Sequence, residues 1–169
     1  MSEAEDIEAL AASLVNALSA SGKTVATAES CTGGWIAKAI TDISGSSQCF
    51  AYGIVSYSNG AKESMLGVQT ATLAENGAVS KAVVSEMAAG ALAISGADYA
   101  VAVSGIAGPD GGSEEKPVGT VWFAWAVRSG GDVRVQTETR RIPGDRRAVR
   151  AGTVMVALQG LKERLKTGG

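Results

Sequence analysis

The sequence of 169 residues contains no histidine. This absence excludes catalysis of the Ser-His-Asp and Cys-His types, metal sites with imidazole ligands and acid–base chemistry by imidazole. If the protein is an enzyme, its protons must move through lysine, tyrosine, a carboxylate or water. The two cysteines, Cys31 and Cys49, are too few for a disulfide scaffold or a tetrahedral zinc site.

Strong charge of one sign and long apolar segments are also missing. The chain has 15 Lys and Arg against 17 Asp and Glu, and no block of like charges, so we expect no nucleic-acid partner. No apolar run approaches the ~20 residues that cross a bilayer. Three of the first six residues are acidic and none is basic, whereas a secretion signal begins with basic residues. We therefore expect a soluble cytoplasmic protein without a membrane partner.

Small residues are abundant instead, with 22 glycines and 29 alanines. The length suits one domain of ~100–200 residues, so we expect residues 1–169 to form a single domain. Because 46% of the residues are hydrophobic, the chain can bury a substantial core. Helices rich in Ala and Gly would allow close packing on a sheet, or would equally serve an interface in a homo-oligomer, a dimer or larger.

Hydrophobic periodicity alternates along the chain between helical and strand spacing. Residues 67–80 have the composition of turns, and residues 105–117 form a loop rich in Gly and Pro. The pattern predicts a single three-layer α/β/α domain with a mixed sheet. The predicted helices cover residues 7–18, 35–40, 59–66, 83–92 and 144–166, and the predicted strands cover residues 24–28, 50–58, 98–104, 118–127 and 133–141.

The segment ESCTGG (29–34) lies where a predicted strand gives way to a helix. Such a turn exposes a side chain and directs free backbone N–H groups at a ligand, so Ser30 could act as a nucleophile beside an oxyanion site. Equally, Ser30 or Thr32 could simply cap the helix. Cys31 is a rival nucleophile, because a thiolate is intrinsically the stronger one. Adjacent side chains at such a turn point apart, so only one of Ser30 and Cys31 faces the site.

The segment SYSNGAK (56–62) offers a base for a chain without histidine. A lysine held away from water can take a proton from a serine hydroxyl, and Lys62 is the best candidate. Tyr57 could share or relay that proton. Taken singly, Lys62 also fits an exposed helical lysine, and Tyr57 fits an aromatic residue on an edge strand.

Two further segments have the composition of ligand-binding loops. SGIAGPDGG (104–112) follows a buried strand, the position where open α/β sheets bind ligands, although it is neither a Walker A nor a GxGxxG motif. GDRRAVR (144–150) opens the last helix and places Arg146 where a phosphate could bind. The alternatives are a flexible surface loop and a solvated charged turn capped by Asp145.

Together these segments resemble the CinA C-terminal domain family. The resemblance rests on TAESCTGG (27–34), SYSNGAK (56–62), SGIAGPDGG (104–112), KPVGTV (116–121) and GDR (144–146), which occur in family order along most of the chain. It implies hydrolysis of the carboxamide of nicotinamide mononucleotide, a small-molecule substrate, to nicotinate mononucleotide and ammonia, a step in the salvage of pyridine nucleotides.

The resemblance also implies a site that needs neither a metal nor a cofactor. Ser30 would be the nucleophile, Lys62 its base and Tyr57 the assisting group. Backbone N–H groups near residues 32–34 or in the loop 105–108 would hold the oxyanion. Lys62 must be neutral for this role, so its pKa must fall well below ~10.4. The residues expected to bind substrate are Thr32, Gly33, Gly34, Asn59, Ser104, Gly105, Gly108 and Arg146.

Two other functions remain open at this point. One is a non-catalytic nucleotide-binding or regulatory domain of the competence/damage-inducible type. The other is an amidase that acts on a different nucleotide or on a simpler amide.

Overall fold

A computed structural model describes residues 1–168 of the protein. Six α-helices and five strands are connected mostly by short turns, with one 3-10 helix at Ser46–Gln48. In chain order the elements are α1 (Glu3–Ser21), β1 (Val25–Glu29), α2 (Trp35–Thr41), β2 (Phe50–Val55), α3 (Asn59–Leu66), α4 (Thr70–Asn76), α5 (Lys81–Ser95), β3 (Tyr99–Gly105), β4 (Thr120–Ser129), β5 (Asp132–Arg141) and α6 (Arg146–Thr167).

The five strands form one mixed sheet in the order β2-β1-β3-β4-β5. Strand β1 pairs in parallel with both β2 and β3, whereas β3, β4 and β5 pair antiparallel. Glu29, the last residue of β1, lies opposite Val55 on β2 and Val103 on β3. The carboxyl ends of the three parallel strands therefore meet at one edge of the sheet.

Helices cover both faces of this sheet, which confirms the predicted three-layer α/β/α fold. Helices α1, α2 and α6 pack on one face, over a core that includes Val101, Phe123 and Trp125. Helices α3, α4 and α5 lie on the other side, over a second core. Strand β3 is buried along both faces, as its sequence predicts.

The second core explains many of the alanines. The sheet presents almost only alanine to α5, and these side chains are fully buried. A small side chain lets the helix approach the strands closely, so the alanines serve packing within the chain. The alanines on this face of the sheet are Ala26, Ala28, Ala100, Ala102, Ala124 and Ala126.

Most boundaries shift from the predicted ones, and two of the differences have a local cause. Strand β2 ends at Val55 rather than at residue 58, because the Ser58 side chain accepts a hydrogen bond from the Ala61 N–H and so caps α3. Helix α4 lies inside the segment predicted as turns. This helix was missed because its N-cap, Gln69, makes no capping hydrogen bond with its side chain, and Leu73 is its one buried residue.

Candidate active site

Three serines stand side by side at the edge where the parallel strands end. Ser30 follows β1, Ser56 follows β2 and Ser104 is the next-to-last residue of β3. Their backbones are tied together, since the Ser30 N–H donates to the Val103 carbonyl and the Ser56 N–H donates to the Glu29 carbonyl. All three are buried, with 8% or less of each residue exposed. Parallel register thus creates this polar edge.

Lys62 reaches into this edge from the first turn of α3. Its residue is 1% exposed, and its Nζ lies 2.9 Å from Ser30 Oγ. The same Nζ donates hydrogen bonds to two backbone carbonyls, Ser56 O at 2.9 Å and Tyr57 O at 3.1 Å. The cap at Ser58 sets the start of α3, and therefore the height at which Lys62 meets Ser30.

The surroundings of Lys62 favour the neutral amine. Burial lowers the pKa of Lys62, and the nearby Cys31 acts in the opposite direction. Carbonyl oxygens can only accept hydrogen bonds, so they take the two N–H groups of a neutral amine. The lone pair that remains is then directed at Ser30 Oγ, as a base for the serine hydroxyl requires.

Cys31 lies beside Ser30 but has the opposite character. Its residue is 5% exposed, and burial raises the pKa of the thiol to about 12. At neutral pH the sulfur is therefore protonated and a poor nucleophile. The hydroxyl of Ser30 lies within hydrogen-bond distance of Lys62 Nζ, so the geometry favours Ser30 as the nucleophile of this turn.

A cavity of about 290 Å³ opens above Ser30. Its walls come from the ends of the strands, the loop after β3, the segment between α4 and α5, and the start of α6. Six of the predicted site residues line it, namely Ser30, Tyr57, Ser104, Gly105, Gly108 and Arg146, together with Cys31, Ala78, Val79, Ile106, Ala107, Asp110 and Gly111.

Arg146 joins two walls of this cavity. Its Nη1 donates to the Gly108 carbonyl at 2.8 Å, and its Nη2 donates to the Tyr57 hydroxyl at 3.0 Å. An arginine cannot accept a hydrogen bond, so the Tyr57 hydroxyl keeps its own proton for another acceptor. Asp145 caps α6 through a hydrogen bond from the Ala148 N–H, as the sequence suggested.

Four residues expected to bind substrate do not line the cavity. Thr32, Gly33 and Gly34 line a separate depression between α1, α2 and α6. The Thr32 hydroxyl donates to Glu29 Oε1 at 2.6 Å, so its hydrogen is already bonded within the turn. Asn59 is exposed on the first turn of α3.

Several N–H groups at the start of α2 are occupied, but the Thr32 N–H meets no acceptor within residues 1–168, so the oxyanion site expected near residues 32–34 stays a prediction. The buried Glu29 carboxylate accepts from the N–H groups of Ile36 at 2.8 Å and Ala37 at 3.0 Å. The Gly33 N–H donates to the Ser30 carbonyl. In the loop after β3, the N–H groups of Ala107 and Gly108 also meet no acceptor within residues 1–168, and both residues line the cavity, whereas Thr32 does not.

Sequence reasoning assigned no role to two residues that hold this edge together. Glu29 occupies the start of α2, and burial raises the pKa of its carboxyl group while Thr32 and the backbone N–H groups lower it. Arg150 donates to the carbonyls of Cys31 and Thr32. The spacing of four between Arg146 and Arg150 was a visible signal, since it places both on one helical face.

The structure contains no candidate metal centre within its described part: no three His, Cys, Asp or Glu side chains among residues 1–168 lie close enough together to hold an ion. Likewise, none of the helices within these residues combines the length and the apolar character needed to span a bilayer.

The fold and its edge site define a three-layer α/β/α domain with a ligand cavity beyond the carboxyl ends of its parallel strands. The family model described as CinA C-terminal domain matches residues 7–165, and the chain belongs to this family. Over 145 residues it is 61% identical to the nicotinamide-nucleotide amidohydrolase PncC of Escherichia coli K12. The aligned region covers 86% of each chain.

Solved structures share this fold along nearly the whole chain. A CinA superfamily protein of Klebsiella pneumoniae matches with a TM-score of 0.90 and 42% identity, over 95% of this chain and 98% of that one. A competence/damage-inducible protein of Agrobacterium tumefaciens matches with a TM-score of 0.88 and 48% identity, over 95% and 96% of the two chains.

Proposed function

We propose that this protein hydrolyses the carboxamide of nicotinamide mononucleotide to give nicotinate mononucleotide and ammonia. The observation that carries the proposal is the buried Lys62 Nζ, 2.9 Å from Ser30 Oγ at the floor of a cavity. The substrate is suggested by the name of the Escherichia coli relative, which is 61% identical. The reaction would be a salvage step in pyridine-nucleotide metabolism, in the cytoplasm and without a cofactor.

The first half of the reaction forms an ester on Ser30. Neutral Lys62 takes the hydroxyl proton while Ser30 Oγ attacks the amide carbon. The oxyanion accepts hydrogen bonds from the N–H groups of Ala107 and Gly108. As the tetrahedral intermediate collapses, the carbon–nitrogen bond breaks. The leaving nitrogen takes a proton from the Lys62 ammonium, directly or through the Tyr57 hydroxyl, and departs as ammonia.

The second half returns the enzyme to its starting state. Lys62 is neutral again and takes a proton from water, whose oxygen attacks the ester carbon. The Ser30 oxygen leaves and recovers its proton from Lys62, and the acid nucleotide is released. The same amine therefore acts twice as a base and twice as an acid. In this chain without histidine, Lys62 takes the role that an imidazole has in other hydrolases.

Arg146 is our candidate for the phosphate of the nucleotide. A guanidinium group has five N–H donors, and the contacts with Gly108 and Tyr57 use two of them. The remaining donors can meet a phosphate, and bidentate contacts of this kind are strong. Ser104, Gly105 and Gly108, which also line the cavity, would contact the rest of the substrate.

Ammonia release from nicotinamide mononucleotide tests this function. We expect the wild type and Cys31→Ala to release ammonia, and Ser30→Ala and Lys62→Met to lose it, by about 10²–10⁴-fold for the base. Exposed Lys38 provides the matched control, since Lys38→Met removes a surface amine that pairs with Asp42. Nicotinamide riboside should be a poorer substrate than the mononucleotide, because it lacks the phosphate.

One alternative is a non-catalytic nucleotide-binding or regulatory domain of the competence/damage-inducible type, a description that a solved relative carries in its name. Binding of the mononucleotide without any ammonia would favour that alternative. Activity in Ser30→Ala with loss in Cys31→Ala would instead indicate a thiol enzyme. We also propose that the chain forms a homo-oligomer, and sedimentation at equilibrium measures this directly.

A further inference from the structure

Arg150 contacts the nucleophile turn from the side of α6. It lies one helical turn after Arg146, is half-buried, and spreads its guanidinium over two successive carbonyls. Its Nε donates to Cys31 O at 3.0 Å, and its Nη2 donates to Thr32 O at 3.0 Å. The guanidinium also lies 5.6 Å from the centre of the Trp35 ring.

These two hydrogen bonds fix the Cys31–Thr32 and Thr32–Gly33 peptide planes, which follow the Ser30–Cys31 peptide. In a planar trans peptide the N–H points away from the C=O of the same unit. By holding the Cys31 carbonyl, Arg150 therefore turns the Thr32 N–H away from α6. By holding the Thr32 carbonyl, it sets the Gly33 N–H, which donates to the Ser30 carbonyl at 3.0 Å and closes the turn.

Arg150 supports the turn from outside, in addition to the Thr32 hydroxyl bond to Glu29 and the Gly33 N–H bond to the Ser30 carbonyl. Gly33 adopts a positive φ of 60°, and a side chain there would meet Arg150 Nη2 at 3.5 Å. The Thr32 N–H donates to no acceptor within residues 1–168. Lysine could not replace this fork, because one ammonium lacks two fixed parallel donors for neighbouring carbonyls.

We propose that Arg150 is a positioning residue for the proposed hydrolysis: it holds the Ser30 turn so that Ser30 Oγ stays in line with Lys62 Nζ. Arg150 does not line the cavity above Ser30, so it acts through the backbone and not on the substrate. A displacement of the nucleophile by about 1 Å is enough to lower a rate ~10²-fold. The proposal rests on the function given above.

The test compares kcat and KM in Arg150→Ala, Arg150→Lys and Arg147→Ala. Arg147 is the matched control, because it stands on the same helix and lies 5.4 Å from the same Trp35 ring, but pairs with Glu3. We expect kcat of Arg150→Ala to fall about 10- to 100-fold, as for the loss of charged hydrogen bonds, with little change in KM.

Two further readouts separate positioning from simple stability. Guanidinium ion, well below denaturing concentrations, should restore part of the kcat of Arg150→Ala and leave Arg147→Ala unchanged. Arg150→Lys should recover less than guanidinium does. An unchanged kcat in Arg150→Ala would overturn the proposal. So would a loss of kcat that guanidinium does not restore, if the thermal unfolding temperature shifts as much in Arg147→Ala as in Arg150→Ala.

A failure of the proposed function can be told apart from a failure of this proposal. If the wild type releases no ammonia from nicotinamide mononucleotide, the rate at which a fluorophosphonate labels Ser30 replaces kcat in the same variants. Slower labelling in Arg150→Ala that guanidinium restores would support positioning without the substrate. Equal labelling in wild type and Arg150→Ala would contradict it.

Discussion

At the scale of single residues, the central feature is a lysine kept from water beside a serine. Lys62 has no carboxylate partner within residues 1–168, and two carbonyls take its N–H groups. Burial lowers the pKa of Lys62, which favours the neutral amine that a base requires. Cys31, one residue from Ser30, is also buried, but burial keeps a thiol protonated and unreactive, whereas it favours the neutral form of an amine, whose lone pair can accept a proton.

The activity should depend on pH in one direction over the neutral and mildly alkaline range. Burial lowers the pKa of Lys62, and only the neutral amine accepts the Ser30 proton. The value of kcat/KM should therefore rise with pH and level off below ~10.4, the ordinary value for lysine. Ammonia release measured between neutral pH and about pH 10 checks this. A profile that falls over this range would contradict the role of Lys62.

Buried Lys62 should also make the free energy of unfolding depend on pH. The unfolded chain holds the lysine proton up to ~10.4, whereas the folded chain releases it at lower pH, so raising the pH favours folding. The free energy of unfolding of the wild type, relative to Lys62→Met, should increase with pH by at most about 1.4 kcal/mol per unit. Urea unfolding of both proteins at several pH values measures it. A difference independent of pH would show that Lys62 stays charged.

At the scale of elements, the position of Lys62 depends on how α3 packs on α5. Gly90 of α5 lies against the backbone of Leu66, at the end of α3, and a Cβ on residue 90 would come within 2.0 Å of the Leu66 carbonyl oxygen. This close approach keeps α3, and with it the lysine, against the ends of the strands.

Gly90→Ala therefore reverses the usual effect of alanine in a helix. Alanine in place of an interior helical glycine stabilises by ~1 kcal/mol, but here the backbone clash should destabilise by about 1–3 kcal/mol. Gly131→Ala in the β4–β5 turn is the control, because no atom lies within 4 Å of its Cβ. Chemical denaturation of the three proteins measures both changes. A more stable Gly90→Ala would show that α3 lies farther from α5.

The sequence predicts most of these elements because their signals are local. The fully buried β3 and the hairpin around residues 129–131 follow from β-branched runs and turn residues. Helix α4 was missed because its start lacks a capping side chain. Glu29 and Arg150 were missed because they bind backbone groups, and no side-chain pattern records which carbonyl a distant arginine reaches. The pairing of Ser30 with Lys62 was expected from the family resemblance, since their separation along the chain says nothing of contact.

At the scale of the whole molecule, one sheet is shared by two helical layers. Trp125 packs with α6 on one face, and its N–H donates to the Ala157 carbonyl at 3.1 Å. Trp122, three residues before Trp125 on β4, lies on the opposite face of the sheet and packs against the second core. Neither layer of helices can bury its apolar face without the sheet, so the site at the edge depends on both.

We therefore expect residues 1–169 to unfold as one cooperative unit. Tryptophan fluorescence, which reports mainly on the sheet and α2, and far-ultraviolet circular dichroism, which reports on all helices, should give the same urea midpoint. Separate midpoints would indicate that the two layers unfold independently and that the chain is not a single domain.

Catalysis by the Ser30–Lys62 pair is tested most directly by the mass of the enzyme during turnover. After rapid acid quenching of wild type with nicotinamide mononucleotide, the peptide containing Ser30 should carry the nucleotide as an ester, equal to substrate minus ammonia. Ser30→Ala should carry no adduct and release no ammonia, whereas Cys31→Ala should behave as the wild type. An adduct on Cys31, or full turnover by Ser30→Ala, would contradict catalysis by the Ser30–Lys62 pair.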